Sequence, residues 1–329
     1  GAAMTPKRNQ NTRSQLVARI EEECNIPSFR INRRDQLGKG SCATVYRDLM
    51  DGKIVAIKEV SLASEHTINH LDLLLGEILV LKAIRLAQDQ APRVLLRSAG
   101  CFIDSRRNSV GLVMEHLNGI DLDQGLEVWK HRCKSDLAAL HPYSERVIAK
   151  VMVCVLEGMQ FLHQNGWLHR DIKPSNIMIS KRGIVKLIDF GMARPGTSST
   201  HSSSSPAYAS PEVILDLEHG APHDCWCLAA TAFEMFTGRT PLLTIPNVGR
   251  DYNWHMQEGT LLEWLNEKLF PRLPELIEAA SPLLVDFISG TLKADPAARL
   301  RVDELIQHGF ARGEVASEAE LQALVKDIQ

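Results

Sequence analysis

The spacing of apolar residues divides the chain into a strand-rich part and a helix-rich part. Residues 37–60 alternate between apolar and polar as strands do, and Asp51-Gly52 interrupts them with a dipeptide typical of a tight hairpin. Residues 67–86 place leucine or isoleucine at helical intervals. Two more strand-like stretches, 100–104 and 110–117, follow. The first part is therefore predicted to be a small sheet with one helix.

From about residue 120 onward the pattern becomes mainly helical. Residues 144–163, 225–237 and 282–293 repeat apolar positions with the period of buried or amphipathic helices. Residues 196–206 are nearly all serine, threonine and glycine, a composition that buries little apolar area and predicts a mobile loop. The whole pattern indicates an α+β fold class with a sheet-rich lobe before a larger helical lobe.

Four segments are predicted along the chain. Residues 1–27 are interpreted as a cloning remnant followed by a flexible leader that ends in a short helix able to pack on the domain. Residues 28–117 form the sheet-rich lobe and a hinge, and residues 118–312 form the helical lobe. Residues 313–329 are expected to be a tail helix.

Composition narrows the classes of function. The chain has 329 residues, 44% hydrophobic and 23% charged, which suits one large globular domain or two ordinary ones. A net charge of −3 argues against nucleic acid as a partner. Seven cysteines without a CxxC pair indicate reduced thiols and a cytoplasmic location. The chain has no signal-like start and no run of 18 apolar residues, so we expect no membrane span.

A glycine-rich segment opens the strand-rich part. Gly38 and Gly40 would let backbone N–H groups approach phosphates closely, whereas Ala43 occupies the third glycine position of such loops. An ordinary glycine-rich hairpin explains the segment as well. A Rossmann dinucleotide loop does not, because a strand rather than a helix follows.

A lysine closes the apolar strand Val55-Ala56-Ile57-Lys58. A partly buried ammonium group needs an anion. Glu77 lies near the apolar face of the predicted helix 67–86 and is the preferred partner, while Glu65 precedes the periodic stretch and is the rival. The alternative is a strand-end lysine that reaches water.

Polar residues cluster between two apolar segments at 169–176. Asp171 can accept a proton from a hydroxyl group, Lys173 can neutralise a phosphoryl group, and Asn176 can bind a divalent ion through its amide oxygen. Asp189 ends a buried strand thirteen residues after Asn176, which suits a metal ligand on a loop. A helix cap or a turn is the alternative for Asp189.

These four segments resemble the signature set of the eukaryotic-type Ser/Thr protein kinase family. That set is a glycine-rich loop, V-A-I-K, H-R-D-x-K-x-x-N and D-F-G, and all four occur here in order between residues 38 and 191. Ala209-Ser210-Pro211-Glu212, Asp224-Cys225-Trp226 and Asp295-Pro296 with Arg299 resemble the family's later motifs. The resemblance covers about residues 30–312 and implies the bilobal protein kinase fold, with Glu212 and Arg299 as a structural ion pair.

The resemblance implies that the chain binds ATP and Mg²⁺. Lys58, held by Glu77, would contact the α- and β-phosphates, and Asp189 and Asn176 would hold Mg²⁺. Asp171 would deprotonate the acceptor hydroxyl, with Lys173 stabilising charge on the γ-phosphoryl group. The ATP-binding positions that it implies are Leu37, Gly38, Lys39, Gly40, Ser41, Val45, Ala56, Lys58, Met114, Glu115, Leu117, Asp121 and Met178.

The resemblance also implies control by phosphorylation, because Arg170 occupies the position of an arginine that can pair with a loop phosphate. The candidate acceptors are Thr197, Ser198, Ser199, Thr200, Ser202, Ser203 and Ser204. Ser205 is set apart, since the family often has a structural threonine there, near Asp171 and Lys173. Serines that merely solvate the loop are the alternative.

The implied partners are protein substrates, together with an upstream kinase or autophosphorylation in trans. Lys173 favours serine and threonine over tyrosine as acceptors. The Ser-Pro-Glu spelling at 210–212 also occurs in kinases that activate other kinases, which phosphorylate threonine and tyrosine. The composition also suits a bacterial eukaryotic-like kinase acting in a host cytosol.

Two rival functions are a pseudokinase scaffold and a small-molecule kinase. The presence of Lys58, Asp171, Asn176 and Asp189 argues against a pseudokinase. The segment from 209 to 299 argues against a small-molecule kinase, because in the family it builds a floor for a peptide. Residues 240–281 are longer than the family requires and suit either a docking surface or a packed insert.

Overall fold

The structure is a computed structural model that describes residues 6–27, 29–40, 43–62, 68–133, 141–199, 205–243, 261–263 and 265–329. Contacts along the chain divide it into two compact units. The small unit contains the chain up to Ala91, together with Leu95–Leu117 and Asp189–Ala193. The large unit contains Pro92–Val94, Asn118–Ile188 and Arg194–Gln329.

The small unit is built on a five-stranded antiparallel sheet in the order β1-β2-β3-β5-β4. Its strands are β1 (Gln36–Lys39), β2 (Ala43–Met50), β3 (Lys53–Ser61), β4 (Ser98–Asp104) and β5 (Ser109–Glu115). Asp51 and Gly52 have φ values of 51° and 76°, the left-handed conformation that a two-residue hairpin needs. Buried aliphatic and aromatic side chains such as Ile57, Phe102 and Val113 form a core on this sheet.

Two α-helices pack in the small unit among the described residues, α1 (Pro6–Glu23) and α2 (Ile68–Leu86). Helix α2 buries the apolar positions that the sequence pattern predicts. Helix α1 packs on α2 and begins far earlier than the predicted short helix, so the leader expected to be flexible is mostly helical. Its arginine, lysine and glutamine residues favour helix, and the fully buried Ile20 anchors it.

The large unit is mainly helical. Its helices are α3 (Leu122–Arg132), α4 (Glu145–Gln164), α5 (Pro211–Ile214), α6 (Ala221–Thr237), α7 (Leu273–Leu276), α8 (Pro282–Thr291), α9 (Val302–Gln307), α10 (Gly309–Arg312) and α11 (Glu318–Ile328). Its short strands are β6 (Gly119–Asp121), β7 (Trp167–Leu168), β8 (Ile177–Ser180), β9 (Val185–Leu187), β10 (Arg194–Pro195), β11 (Ser198–Ser199) and β12 (His219–Gly220). The sheet and the helices confirm the predicted α+β class.

Helices α4 and α6 pack together in the core of the large unit. Ser144 caps α4 by accepting a hydrogen bond from the Val147 N–H group. Helix α4 is also, among the described residues, the one helix long and apolar enough to cross a membrane. Core helices pass that test as well, and over half of its most apolar stretch is buried inside the unit.

The serine-rich segment is partly a strand. Ser198 and Ser199 pair with Gly220 and His219 as β11 and β12, so the prediction of a mobile loop is wrong for these two residues. Local composition cannot show a pairing with a segment twenty residues downstream. Residues 200–204 lie outside the described residues.

The structure also describes the predicted tail, residues 313–329, and part of the insert, residues 240–281. In the tail, Gln329 Nε2 donates a hydrogen bond to the Gly119 carbonyl at 3.2 Å. In the insert, residues 265–276 form consecutive short helical turns, and Leu265, Leu269 and Leu273 are buried. Residues 244–260 and 264 of this insert lie outside the described part of the chain.

Candidate active site

Lys58 lies between two carboxylates of the small unit. Its Nζ atom is 2.7 and 2.8 Å from the two Oε atoms of Glu77 and 3.2 Å from Asp189 Oδ1. Strand β3 carries Lys58, and the buried face of α2 carries Glu77. The structure thus pairs Lys58 with the partner preferred from the sequence, while the rival Glu65 lies outside the described residues.

Electrostatics keep Lys58 protonated. Burial would lower the pKa of its ammonium group, but the negative charges of Glu77 and Asp189 outweigh burial and raise that pKa above its ordinary value. Burial raises the pKa of the Glu77 carboxyl, with Lys58 opposing and Asp189 reinforcing the shift. One ammonium shared by two carboxylates is therefore a fixed positive charge.

The glycine-rich hairpin presents open backbone. Gly40 N–H donates to the Ala43 carbonyl at 2.8 Å. A Cβ atom added at Gly38 would meet nothing within 4 Å, and one at Gly40 would meet only that carbonyl, at 3.7 Å. The space that a phosphate needs beside the backbone is present at both glycines. Ser41 lies outside the described residues.

Three further predicted nucleotide positions lie on the same hairpin. Leu37 and Lys39 are exposed on β1, and 48% of the Leu37 surface is accessible, which is high for a leucine. Val45 lies opposite Lys58 across the β2–β3 pair. An exposed leucine beside the glycines is available to cover an apolar ring.

The end of β5 supplies the predicted hinge. Met114 is buried and lies opposite Ala56 across the β3–β5 pair. Glu115 exchanges two hydrogen bonds with the Arg97 backbone, since its N–H group donates to the Arg97 carbonyl and its Oε1 atom accepts from the Arg97 N–H group. No backbone hydrogen bond within the described ranges engages Leu117, so its N–H and C=O groups are available to a ligand.

In the large unit, Asp121 and Met178 lie opposite each other across the β6–β8 pair. Asp121 caps α3, because its Oδ1 atom accepts from Gln124 N–H at 2.8 Å while Gln124 Oε1 accepts from Asp121 N–H at 3.2 Å. Burial raises the pKa of the Asp121 carboxyl, and the Gln124 backbone opposes the shift. The cap fixes this carboxylate at the helix start.

Three donors surround the buried Asp171 carboxylate. Lys173 Nζ lies 2.8 Å and Asn176 Nδ2 3.0 Å from Oδ2, and Ser205 N–H donates to Oδ1 at 3.2 Å. Ser205 Oγ also accepts a hydrogen bond from Lys173 Nζ. A carboxylate has about four acceptor positions. One position on Oδ1 therefore remains for an incoming hydroxyl group.

Asn176 and Asp189 offer the hard oxygen atoms that Mg²⁺ prefers. Asn176 Nδ2 is used by Asp171, which leaves the amide oxygen for an ion. Asp189 Oδ1 accepts from Lys58 and from Gly191 N–H, and its side chain is 43% exposed. No cluster of three or more His, Cys, Asp or Glu side chains suited to a metal occurs among the described residues. Each of these oxygen atoms, described within its own unit, is of the kind that Mg²⁺ takes as a protein ligand.

A buried carboxylate of the later motif Asp224-Cys225-Trp226 holds the backbone next to Asp171. Asp224 accepts hydrogen bonds from His169 N–H at 2.9 Å, Arg170 N–H at 2.7 Å and His163 Nε2 at 2.8 Å. Arg170 has φ of 69°, which is uncommon for a residue with a side chain. Burial would raise the pKa of the Asp224 carboxyl, but the His163 hydrogen bond and the nearby imidazoles hold it well below its usual range.

Comparison with known proteins agrees with this geometry. Residues 31–311 match the family model described as "Protein kinase domain". The chain belongs to the protein kinase family. This confirms the resemblance and the bilobal kinase fold class, and it makes the chain a member of an enzyme family.

Several relatives of this kinase carry serine/threonine kinase names. "Probable serine/threonine-protein kinase mkcB" of Dictyostelium discoideum is 30% identical over 84% of this chain and 35% of its own length. "Mitogen-activated protein kinase kinase kinase 3" of Arabidopsis thaliana is 29% identical over 91% of this chain and 43% of its own. "Serine/threonine-protein kinase shk1/pak1" of Schizosaccharomyces pombe is 28% identical over 98% and 44%. The chain spans less than half the length of these relatives.

The kinase buries the Arg170 guanidinium almost completely. Only 1% of Arg170 is exposed, and its Nε and Nη1 atoms have no hydrogen-bond partner within the described residues. Burial and the positive charge of Arg194 lower the pKa of Arg170 to about 10, although Asp224 opposes them. Arg170 is thus a cation whose charge is poorly compensated.

The predicted phosphorylation sites are only partly described. Thr197 and Ser198 are exposed, and Ser199 lies in β11. Thr200, Ser202, Ser203 and Ser204 lie outside the described residues.

Glu212 and Arg299 form a buried bidentate ion pair with both N–O distances at 2.6 Å. The Arg299 guanidinium also lies 5.1 Å from the centre of the Trp226 ring. The pair joins α5 to the segment before α9. Its position is structural, as the resemblance implies.

His223 is a buried contact that the sequence did not indicate. Its Nδ1 atom lies 2.8 Å from Ser210 Oγ, and its Nε2 atom lies 3.4 Å from the Arg170 carbonyl oxygen. A carbonyl only accepts, so Nε2 carries the proton and the Ser210 hydroxyl donates to Nδ1. Burial lowers the pKa of His223 to about 4, which keeps this ring neutral. No spacing rule marks a lone histidine one residue before Asp224.

Proposed function

We propose that this protein is an active kinase that transfers the γ-phosphoryl group of ATP to serine or threonine hydroxyls of proteins, with Mg²⁺ as cofactor. The observation that carries the proposal is the Asp171 carboxylate, which is fixed by three donors and keeps one acceptor position open. A general base must present an unoccupied lone pair to the hydroxyl that it deprotonates. Asp171 meets this requirement.

In the small unit, Lys58 supplies a permanent positive charge for the α- and β-phosphates. The glycines of the first hairpin supply backbone N–H groups without side chains in the way. Met114, Glu115 and Leu117 supply the edge that reads adenine, through the free backbone groups of Leu117. Leu37, Val45 and Ala56 contribute apolar surface.

In the large unit, Asp171 accepts the proton of the attacking hydroxyl as the new phosphorus–oxygen bond forms. The bond from the γ-phosphorus to the bridging oxygen breaks, and its electrons stay on the β-phosphate of ADP. Lys173 neutralises charge on the transferring group. Asn176 would offer its amide oxygen to Mg²⁺, as Asp189 would offer its carboxylate from the small unit, and the ion would supply positive charge for the phosphate oxygens.

The experiment is a transfer assay with γ-labelled ATP, Mg²⁺ and casein, comparing the natural chain with Asp171→Asn. We expect labelling of serine and threonine in casein, and a loss of about 10²–10⁴-fold in the variant, the usual worth of a positioned general base. Phosphoamino-acid analysis of the product reports any tyrosine labelling. Equal labelling by both proteins would contradict the proposal.

A pseudokinase scaffold is the alternative, and comparing nucleotide binding with phosphoryl transfer by the same protein distinguishes the two. Nucleotide binding measured by thermal shift with ATP and Mg²⁺ does not need Asp171. ATP binding without transfer, even after the loop has been phosphorylated, would favour the scaffold. Transfer to glycerol or free serine in place of casein would instead favour a small-molecule kinase.

We also propose that loop phosphorylation activates the enzyme, by an upstream kinase or in trans. The support is the buried Arg170 guanidinium, since two of its nitrogen atoms, Nε and Nη1, lack partners in the described part of the chain. Mass spectrometry should find phosphate on residues 197–204, and phosphatase treatment should lower activity. Arg170→Gln should remove that difference, and an unchanged difference would contradict the role.

A cytoplasmic location is proposed as well. The support is that the six cysteines of the described residues have free thiols, as expected in a reducing compartment. Cell fractionation with antibody detection tests it. Recovery from the membrane or the secreted fraction would contradict it.

A further inference from the structure

Helix α1 lies against the helix that carries Glu77. It packs on α2 and also contacts β4, so it joins elements of the small unit that are far apart in the chain. The residues of its described part that recur at intervals of three or four and are shielded from solvent include Arg13, Leu16, Ile20 and Glu23. Ile20 has no exposed surface. One side of α1 is therefore a packed face, although the helix lies outside residues 31–311 that match the kinase family.

Helix α2 is buried on two opposite sides. Successive residues of a helix turn by about 100°, so Leu75 and Lys82 lie about 20° apart on one side. Glu77, Val80 and Ile84 lie within about 60° of one another on the other side. Apolar residues are buried on both sides, since Leu75, Val80 and Ile84 are all nearly inaccessible. A helix that is apolar all round needs partners in both directions.

Two polar contacts join α1 to the strand and the helix that hold the ion pair. At the end of α1, Glu23 Oε2 accepts a hydrogen bond from Lys82 Nζ at 2.6 Å, on the side of α2 opposite Glu77. Near the start of its described part, Arg13 Nη2 donates to the carbonyl of Leu62, the residue that follows β3. The ten residues of helix between these contacts span about 15 Å. Helix α1 thus reaches from the end of β3 to the outer side of α2.

The segment after α1 is fastened to strand β4. The N–H groups of Asn25 and Ile26 both donate to the Cys101 carbonyl, at 3.1 and 3.0 Å, and Asn25 Oδ1 accepts from the Cys101 N–H group at 3.2 Å. A Cβ atom added at Gly100 would collide with the Asn25 side chain, so the strand leaves room for this contact by having glycine there. The leader is therefore attached to β3, to α2 and to β4.

We propose that α1 is a positioning element for the ion pair of Lys58 and Glu77. The inference rests on the proposed kinase activity and adds a segment outside the kinase motifs to the parts that it needs. Strand β3 carries Lys58 and α2 carries Glu77, and their contacts of 2.7 and 2.8 Å require these two elements to keep a fixed separation. Helix α1 contacts both elements and sets that separation. When α1 is displaced, α2 loses the cover of one apolar side and Glu77 moves away from Lys58.

The first test displaces α1 in the full chain with Ile20→Asp, which puts a charge on its packed face. Ala18→Asp introduces the same residue on the exposed face and is the matched control. Amide hydrogen exchange should become faster in α2 of Ile20→Asp and stay unchanged in α4, whereas Ala18→Asp should match the natural chain in both helices. Unchanged exchange in α2 of Ile20→Asp would overturn the proposal, because α1 would then give that helix no support.

The second test asks whether α1 acts through Glu77. The kcat/KM for ATP should fall about 10-fold in Ile20→Asp and stay within about twofold of the natural value in Ala18→Asp. When Glu77→Gln is already present, adding Ile20→Asp should change kcat/KM by no more than about twofold, because the contact that it disturbs has been removed. The same 10-fold fall with and without Glu77→Gln would refute the assignment, since α1 would then act on another group.

ATP affinity separates this inference from the proposed function. Calorimetric titration with ATP and Mg²⁺ measures binding without phosphoryl transfer, so a natural chain that binds ATP but does not label casein would contradict the proposed activity and still allow the comparison. The dissociation constant for ATP should rise about 10-fold in Ile20→Asp, and Glu77→Gln with Ile20→Asp should bind ATP like Glu77→Gln alone. An unchanged dissociation constant in Ile20→Asp would overturn the positioning role.

A milder pair of variants leaves the packed face intact. Glu23→Lys puts two positive charges together where α1 meets α2 and should lower kcat/KM for ATP about 2–5-fold. Combining it with Lys82→Glu exchanges the two charges and should restore the natural value to within about twofold, because an ion pair can form again. A charge exchange no more active than Glu23→Lys alone would contradict the role of this contact.

Discussion

Two centres of candidate site residues, Lys58 in the small unit and Asp171 in the large unit, are held in different ways. In the small unit, the Lys58 ammonium is fixed by opposite charges on Glu77 and Asp189. In the large unit, the backbone next to Asp171 is fixed by hydrogen bonds to Asp224, a carboxylate that does not belong to the catalytic motifs. The ion pairs in the small unit fix the ammonium group at the end of the Lys58 side chain. The hydrogen bonds in the large unit fix the main chain of His169 and Arg170.

This difference separates function from folding. Charges at the ends of long side chains can pair again after a local movement, so the small-unit centre can be altered without much loss of stability. The main chain at Arg170 is held at a positive φ with its N–H group bonded to Asp224, and a buried donor that loses its acceptor costs stability. We therefore expect Glu77 to matter mainly for activity and Asp224 for stability as well.

The largest effect is expected from Asp224→Asn. The amide cannot accept from all three donors, and at least one buried N–H group is left without a partner, so the free energy of unfolding should fall by about 2–5 kcal/mol. Urea denaturation measures the change. Asp286→Asn, at a carboxylate that is 77% exposed, is the matched control and should stay within about 0.5 kcal/mol. An equal fall in the free energy of unfolding of both variants would show that the buried hydrogen bonds of Asp224 add no special stability.

The next effect concerns pH and the neutral His223. Its folded pKa of about 4 lies below its ordinary 6.5, because burial and His219 lower it more than Asp224 and Glu212 raise it. Between those values the unfolded chain binds a proton that the folded chain does not. Stability from this group is complete above pH 6.5, and about 3 kcal/mol is lost as the pH falls to 4.

Denaturation of His223→Gln at several pH values tests that slope. Glutamine does not titrate, so the variant should lose less stability than the natural chain between pH 6.5 and 5, by about 1 kcal/mol per pH unit. His131→Gln, at an exposed histidine of α3, should keep the natural slope. A slope in His223→Gln equal to the natural one would show that another group carries the pH dependence.

A smaller free-energy change is expected from Glu77→Gln. Lys58 keeps Asp189 as a partner but loses the carboxylate that directs it, so kcat/KM for ATP should fall about 10–100-fold, which is about 1.4–2.7 kcal/mol. The melting temperature should change little. Glu278→Gln, at an exposed residue, is the control. If Glu77→Gln lost much stability but kept normal activity, Glu77 would serve mainly the fold, contrary to this prediction.

The smallest effect is expected at the tail. Arg132 and Asp327 form an ion pair at 2.6 Å, yet both side chains are more than half exposed. Solvent-exposed ion pairs contribute about 0–1 kcal/mol to stability, so Asp327→Asn should lower the free energy of unfolding by less than about 1 kcal/mol. High salt should make this loss smaller still, because salt screens exposed charges. A larger loss of stability that does not depend on salt would mean that this ion pair is shielded from water, as the buried Asp224 is.

The sequence by itself determined the fold class and the family. The spacing of apolar residues predicted the small sheet, helix α2 and the helices of the large unit. A helix or strand that buries one face needs apolar residues at the repeat of that helix or strand. Residues 169–176 are contiguous, so their grouping needs no tertiary information. Motif order then led from these residues to the kinase family.

Only the tertiary structure decided how these groups are held. Asp224 reaches His169 across 55 residues, and β11 pairs with a strand twenty residues on. Such contacts follow from packing, and no local period or spacing marks them. The leader shows the same limit, since α1 owes its extent to the surface of α2 against which it packs.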